Sequence, residues 1–126
     1  MIGKVLDASA LAAWVRGSIA ANAWLGTAYA LTSPLYILSL AFTEVRAVRP
    51  YAGPNLAELL GHPSVLVGEL SAADAAAVDL LLEAAGVFDA LAGQVVHVAA
   101  ARGWPALTAD PGRLQRIDPN IVIDLI

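Results

Sequence analysis

The chain has 126 residues, a formal net charge of −4 and no cysteine. This length suggests a single domain over residues 1–126, and the absence of cysteine excludes disulfides and thiolate chemistry. The negative charge argues against a general basic nucleic-acid binder. It does not exclude a nuclease whose acids hold metal ions, because bound cations reverse the local sign of charge.

Apolar residues make up 59% of the chain and charged residues only 14%. That composition is far from a disordered one, and it predicts an extensive surface buried by a homodimer or a dedicated partner protein. No uninterrupted apolar run reaches the roughly 18 residues of a membrane span. The N-terminus lacks a signal-peptide pattern because Asp7 interrupts its apolar run, so we expect a cytoplasmic protein.

Strand and helix patterns alternate along the whole chain. The predicted strands are 2–6, 35–38, 64–70, 105–108 and 121–126. The predicted helices are 10–15, 19–30, 40–48, 55–60, a helix from a Ser71 cap to about 85, 89–102 and 113–117, with a loop at 51–54. Such alternation predicts an α/β fold, a three-layer α/β/α sandwich around a central parallel sheet of four to five strands.

Four acids lie at element boundaries or on a helix that follows a strand. Asp7 ends the first strand, Glu44 lies early on the helix after the second, Asp89 begins the helix before the fourth strand and Asp110 follows that strand. In a parallel sheet the strand ends and the starts of the following helices share one edge. Folding would bring these acids together there, although helix capping by some of the eleven acids is the alternative at this point.

Carboxylates gathered in one pocket repel each other and raise each other's pKa values. Such a cluster is tolerated when divalent cations occupy it, and oxygen ligands suit Mg²⁺ or Mn²⁺. Ions of this kind activate water and stabilise the leaving oxygen of a phosphodiester. A metal-dependent phosphodiesterase is therefore the chemistry that this pattern would support.

Three segments carry a resemblance to a known family. The opening KVLDASAL (residues 4–11), the later TEVRAV (43–48) and the closing ARGWPALTADPGRL (101–114) resemble a PIN domain, and in particular the small VapC-type toxins of bacterial toxin–antitoxin pairs. The similarity covers nearly the whole chain, because length, element order and both ends agree.

The resemblance implies an Mg²⁺- or Mn²⁺-dependent endoribonuclease that cleaves RNA with metal-activated water. It also implies a cognate antitoxin that covers the site, and a toxin homodimer. In this sequence, the resemblance implies that the catalytic and metal-binding acids are Asp7, Glu44, Asp89 and Asp110. It also implies that the hydroxyl groups of Ser9 and Thr108 line the same pocket.

One departure concerns the third acid. The family usually places it about three residues nearer the Thr, where this chain has Ala92, a residue that cannot bind metal. A shift from i to i+3 keeps roughly the same helix face, so we expect Asp89 to serve in its place.

One other interpretation of the function stays open. A PIN-fold module without cleavage activity, acting through a protein partner or RNA, would suit the third-acid spacing and the low basic charge. Arg113 and Arg116, near Asp110, are candidates for contact with an RNA backbone. A phosphoacceptor receiver domain is set aside, because only one acid follows the first strand and Lys4 is the only lysine.

Overall fold

Five short strands form one sheet in the structure, a computed structural model that describes residues 2–126. The strand order is β3-β2-β1-β4-β5, and every neighbouring pair is parallel. The strands are β1 (Lys4–Leu6), β2 (Leu35–Leu38), β3 (Val65–Gly68), β4 (Ala106–Thr108) and β5 (Ile123–Leu125). The predicted α/β fold with a parallel sheet of four to five strands is confirmed.

Seven helices and a short 3₁₀ turn, Pro50–Ala52, connect the strands in the described part of the chain. The helices are α1 (Ala8–Val15), α2 (Ile19–Ala30), α3 (Ser39–Val48), α4 (Gly53–Leu60), α5 (Ala72–Ala85), α6 (Ala90–Arg102) and α7 (Pro111–Gln115). The path runs one way from β1 to β3 and the other way from β4 to β5. With right-handed crossovers, α1–α4 cover one face and α5–α7 the other, which agrees with the packing of α1 on α3 and of α5 on α6. None of the described helices is long and apolar enough to cross a membrane.

The neighbouring inner strands β1 and β4 are buried from both sides, which explains why they read as continuous apolar runs. Val5, Leu6, Ala106 and Leu107 on β1 and β4 are all buried in the core. Only two polar side chains join the buried set among residues 2–126, and both lie where these strands end: Asp7 is 2% exposed and Thr108 is 0% exposed. The apolar core therefore borders a buried polar pair, Asp7 and Thr108, at the carboxyl edge of the sheet.

The segment predicted as a loop at 51–54 is helical instead. Pro50 opens the 3₁₀ turn and Pro54 lies in the first turn of α4. A proline is tolerated there because the first N–H groups of a helix have no intrahelical partner. The prediction of a loop was wrong because it assumed that the prolines end a helix, whereas here they lie at helix starts.

The outer strands are shorter than predicted. The strand predicted at 121–126 pairs only over Ile123–Leu125, because its single neighbour, β4, is itself three residues long. The strand predicted at 64–70 likewise reduces to Val65–Gly68, the stretch that faces the four residues of β2. The partner strand, which is remote in sequence, sets the length of each.

Candidate active site at the carboxyl edge of the sheet

Asp7 combines both roles that its position allowed. It follows β1 directly and caps α1, with its Oδ1 accepting from the backbone N–H of Ala10 at 3.0 Å. Its carboxylate also accepts from Ser9 Oγ at 2.6 Å and from Thr108 Oγ1 at 2.5 Å. Burial raises the pKa of Asp7, and the hydrogen bonds from Ser9, Thr108 and Ala10 oppose that rise.

The two hydroxyls join the ends of β1 and β4. Ser9 Oγ accepts from the backbone N–H of Ala109 at 2.9 Å, and Thr108 Oγ1 accepts from the backbone N–H of Asp110, also at 2.9 Å. Each hydroxyl has one proton to donate, and each points it at Asp7. Their mutual Oγ–Oγ1 distance of 3.1 Å is therefore a by-product of sharing one carboxylate. The predicted pocket-lining pair does lie beside Asp7.

Glu44 and Asp89 form a second group, held on the guanidinium of Arg113. Arg113 Nη1 and Nη2 donate to the two oxygens of Glu44, each at 2.7 Å. Its Nε donates to Asp89 Oδ2 at 2.7 Å, and Nη2 also donates to Asp89 Oδ1 at 2.9 Å. Two carboxylates from the opposite faces of the sheet thus share one cation.

The electrostatics of this group follow from the shared cation. The hydrogen bonds of Arg113 hold the pKa of Asp89 below its usual value, against a smaller opposing effect of burial. Glu44, and after it Asp89, raise the pKa of Arg113, so the guanidinium stays charged. Arg116 approaches Asp89 more loosely, at 3.7 Å, and is 61% exposed.

Asp89 caps α6 and also belongs to the group around Arg113. Its Oδ1 accepts from the backbone N–H of Ala92 at 3.2 Å. Ala92, at the position the family usually gives to an acid, is buried in the core. The carboxylate one turn earlier is the one that reaches the guanidinium shared with Glu44.

Asp110 follows β4 and immediately precedes α7. Its side chain does not cap that helix, and the residue is exposed. Its backbone N–H, through Thr108, ties it to the Asp7 group. The four predicted acids therefore all lie at the same edge, but as one group around Asp7 and another around Arg113.

The two groups adjoin without merging. The charge of Arg113 acts on Asp7, lowering its pKa slightly against burial, and Ser9, Glu44 and Arg113 line one open cleft together with Arg49. Among residues 2–126, no three acidic or histidine side chains converge closely enough to form a metal-binding cluster. The metal-ligand roles of the four acids remain a prediction.

Arg113 is the residue whose role the sequence pattern missed. The pattern offered it for contact with RNA, whereas the structure shows it between two of the candidate acids. A usable signal existed: Arg113 lies three residues after Asp110, on the short helix that begins at the acidic edge.

A comparison with solved structures bears on the fold. No protein-family model and no curated protein matches the sequence. Among solved structures, a chain of the crystal structure of VapBC2 from Rickettsia felis, bound to a DNA fragment from their promoter, superposes with a TM-score of 0.73. The match covers 100% of this chain and 99% of that chain, at 16% sequence identity.

The two chains share one fold. At this identity the likeness extends to architecture alone, and it agrees with the three-layer α/β/α sandwich that the alternation of strands and helices predicts. The buried Asp7 and the two hydroxyls are observations on this chain alone.

Proposed function

We propose that this protein is a divalent-metal-dependent endoribonuclease, the toxin of a type II toxin–antitoxin pair. The observation that carries the proposal is the buried Asp7 carboxylate, placed by the central strand and oriented by Ser9 and Thr108. A sequence that resembles VapC-type toxins and a fold shared with a VapBC2 chain support it. We assign Asp7, Glu44, Asp89 and Asp110 to the catalytic, metal-binding set.

The side chains present fit a hard divalent cation such as Mg²⁺ or Mn²⁺. The donors at this edge are carboxylate and hydroxyl oxygens, which these ions prefer. The Glu44–Asp89 pair already accommodates a positive group, the guanidinium of Arg113. When bound, such an ion supplies positive charge for the phosphodiester and lowers the pKa of water.

The chain's own residues orient and charge the site. Ser9 and Thr108 each donate to Asp7, so its carboxylate has a single direction even without a ligand. Pairing with Arg113 keeps Asp89 ionised below its ordinary pKa. The first effect orients Asp7 and the second keeps Asp89 charged before any substrate arrives.

Arginines around the cleft would hold the RNA backbone, although the chain as a whole is acidic. Arg49 and Arg113 line the cleft beside Glu44, and Arg116 lies within 3.7 Å of Asp89. Arginine binds phosphate oxygens in bidentate fashion, and such contacts position a nucleic acid without reading its sequence. A local basic rim is thus compatible with a net charge of −4.

We assign a cognate antitoxin and a second copy of the chain as its protein partners, with the cytoplasm as its compartment. Several large apolar side chains are exposed, among them Ile19, Tyr29, Val48 and Leu80 on helices and Phe88 between α5 and α6. Monomeric proteins rarely expose extended apolar surface. The VapBC2 neighbour was itself solved with promoter DNA.

A non-cleaving PIN-fold module is the second candidate. It is favoured by one observation, that no three acids converge in the described residues while Arg113 occupies the space between Glu44 and Asp89. In this reading the chain acts by binding a protein partner or RNA. Metal binding separates the two candidates, since a module of this kind has no need of it.

The deciding experiment incubates purified protein with single-stranded RNA in Mn²⁺, in Mg²⁺ and in EDTA. We expect cleavage only with a divalent ion, and a loss of about a hundredfold or more in Asp7→Asn, at or beyond the top of the range seen for residues that merely support a metal ligand. Asp79→Asn, at an exposed acid of α5, is the matched control. Cleavage that survives both EDTA and Asp7→Asn would exclude the proposed mechanism, whereas Mn²⁺-independent partner binding with no cleavage would favour the binding module.

A further inference from the structure

Four of the five N–H groups of the Arg113 guanidinium donate to the two acids on which the proposed function depends. All three of its nitrogens donate, with two hydrogen bonds to Glu44 and two to Asp89, at 2.7–2.9 Å. Its side chain is 21% exposed, so these pairs are partly withdrawn from water. Four oxygens that could serve a metal are therefore occupied by hydrogen bonds within the chain.

The charges indicate that the guanidinium and a divalent ion cannot both be bound by these four oxygens at the same time. One positive charge lies between two negative charges, leaving the trio at −1. A divalent ion brought to the same oxygens would meet the guanidinium at a few ångströms, where repulsion between cations is strong in a partly buried site. Arg113 must therefore withdraw before Glu44 and Asp89 can both take a metal.

The local structure allows such a withdrawal. Arg113 is carried by α7, a helix of five residues, and its neighbour Leu114 is fully buried. Leu114 anchors the helix, so rotation about the arginine's own bonds can move the guanidinium without moving the backbone. The same cleft opens toward solvent beside Arg49, which gives the displaced side chain a place to go.

We propose that Arg113 acts as an internal counter-cation that competes with divalent metal for Glu44 and Asp89, so that it sets the metal affinity of the site. In the metal-free protein it holds the two acids together and prevents their mutual repulsion. In the metal-bound protein it is released and faces the rim of the cleft. The inference rests on the proposed function in one respect, that a divalent ion binds at this edge.

The first test measures Mn²⁺ binding directly by titration calorimetry, with no RNA present. Arg113→Gln removes the competing charge, and we expect its Kd for Mn²⁺ to fall by about tenfold or more, a change that requires only about 1.4 kcal/mol. Arg113→Lys retains the charge but lacks the planar fork, so its affinity should lie between those of wild type and Arg113→Gln. Arg116→Gln, at a looser and exposed contact to the same Asp89, is the matched control and should change the Kd by less than about twofold.

A second measurement uses the wild-type chain, so that it does not depend on the folding of a variant. The Nε–H resonance of Arg113, identified by its absence in Arg113→Lys, is followed by NMR during titration with Mg²⁺. We expect a protected signal without metal and loss of that protection at saturation. A signal unchanged at Mg²⁺ saturation, or an Arg113→Gln protein that is folded by circular dichroism and binds Mn²⁺ no more tightly than wild type, would overturn the inference.

The two proposals fail in different ways. If wild type cleaves RNA with Mn²⁺ while Arg113→Gln shows unaltered Mn²⁺ affinity, the competition is wrong and the nuclease stands. If Arg113→Gln binds Mn²⁺ more tightly but no variant cleaves RNA, the competition stands and the nuclease fails.

Discussion

The Asp7 group and the Arg113 group solve the same problem, a carboxylate at the edge of an apolar sheet, by different means. Asp7 is 2% exposed and is satisfied by two hydroxyls and a backbone N–H. Asp89 is 16% exposed on its side chain and is satisfied by a full positive charge. Burial raises the pKa of Asp7 in spite of its hydroxyl donors, whereas the guanidinium lowers the pKa of Asp89.

Because of this difference, the hydrogen-bond partners of Asp7 are permanent, whereas the cationic partner of Asp89 can be exchanged. The hydroxyls of Ser9 and Thr108 belong to residues fixed at strand and helix ends, and removing them leaves buried groups unpaired. A guanidinium on a flexible side chain can leave and be replaced by another cation. We therefore expect the Asp7 group to behave as part of the folded core and the Arg113 group as an electrostatic device with a smaller share in stability.

The largest effect expected is that of Asp7→Ala on folding. The change removes the cap of α1, worth about 1 kcal/mol, and leaves the buried hydroxyl of Thr108 without its acceptor, so that the sum should approach about 3 kcal/mol. Urea unfolding in EDTA measures it. Asp89→Ala, which removes a cap at a more exposed place, is the comparison and should cost about half as much; equal costs would show that the two groups do not differ in kind.

Removal of a single hydroxyl should come next. Thr108→Val deprives Asp7 of a donor and the backbone N–H of Asp110 of an acceptor in a fully buried place, for a cost of about 2 kcal/mol. Ser9→Ala removes equivalent bonds at a partly exposed position and should cost about 1 kcal/mol. Both are measured by chemical denaturation, and a Thr108→Val protein as stable as wild type would contradict the picture of a buried, fully used hydroxyl.

The two groups should respond to pH with opposite signs. The folded pKa of Asp7 is raised above 3.8, so its contribution to stability is present below 3.8 and is lost as the pH rises through the folded value. The folded pKa of Asp89 is lowered below 3.8, so its contribution is present above 3.8 and is lost as the pH falls through the folded value.

Asp7→Asn and Asp89→Asn test these signs, since Asn preserves the helix cap in each case. Stability is measured by urea unfolding in EDTA from about pH 3 to pH 7. Asp89→Asn should lose less stability than wild type on acidification, and Asp7→Asn should lose less than wild type as the pH rises above 3.8. If the stability of both variants varies with pH in parallel with that of wild type, the two groups do not differ electrostatically.

The smallest effect expected is that of Arg116→Gln. Its side chain is 61% exposed and its guanidinium lies 3.7 Å from Asp89, and exposed pairs of this kind contribute about 0.5 kcal/mol or less. Thermal unfolding should scarcely distinguish it from wild type. A loss comparable to that of Asp7→Ala would mean that Arg116, rather than Arg113, is the cation that supports the acids.

Most of the local structure could be predicted because short-range chemistry determines it. Asp7, Ser71 and Asp89 each accept from the backbone N–H three residues on, as capping side chains do. Gly86 and Gly103 end α5 and α6 in left-handed conformations, which glycine adopts without steric cost. The prolines at 50 and 54 were misread because a proline that ends one element can equally begin the next.

The site divides along the same line. Position at the ends of parallel strands was enough to place all four acids at one edge. The family resemblance, rather than position, indicated Thr108 as a neighbour of Asp7 across a separation of 101 residues. The sequence pattern could not predict that Glu44 and Asp89 share the guanidinium of Arg113. Glu44 lies on α3, Arg113 on α7 and Asp89 at the N-cap of α6. The two acids are 69 and 24 residues from Arg113, and these separations carry no periodic signal.

The sequence by itself determined the α/β class, the helix caps and the edge at which the candidate acids gather, because each depends on hydrophobic period or on groups a few residues apart. The tertiary structure decided the strand order, the length of the outer strands and the choice of a guanidinium as the partner of Glu44 and Asp89. Those outcomes depend on which remote groups are brought within about 3 Å of each other, a distance at which a hydrogen bond forms and which only the packed sheet and helices can set.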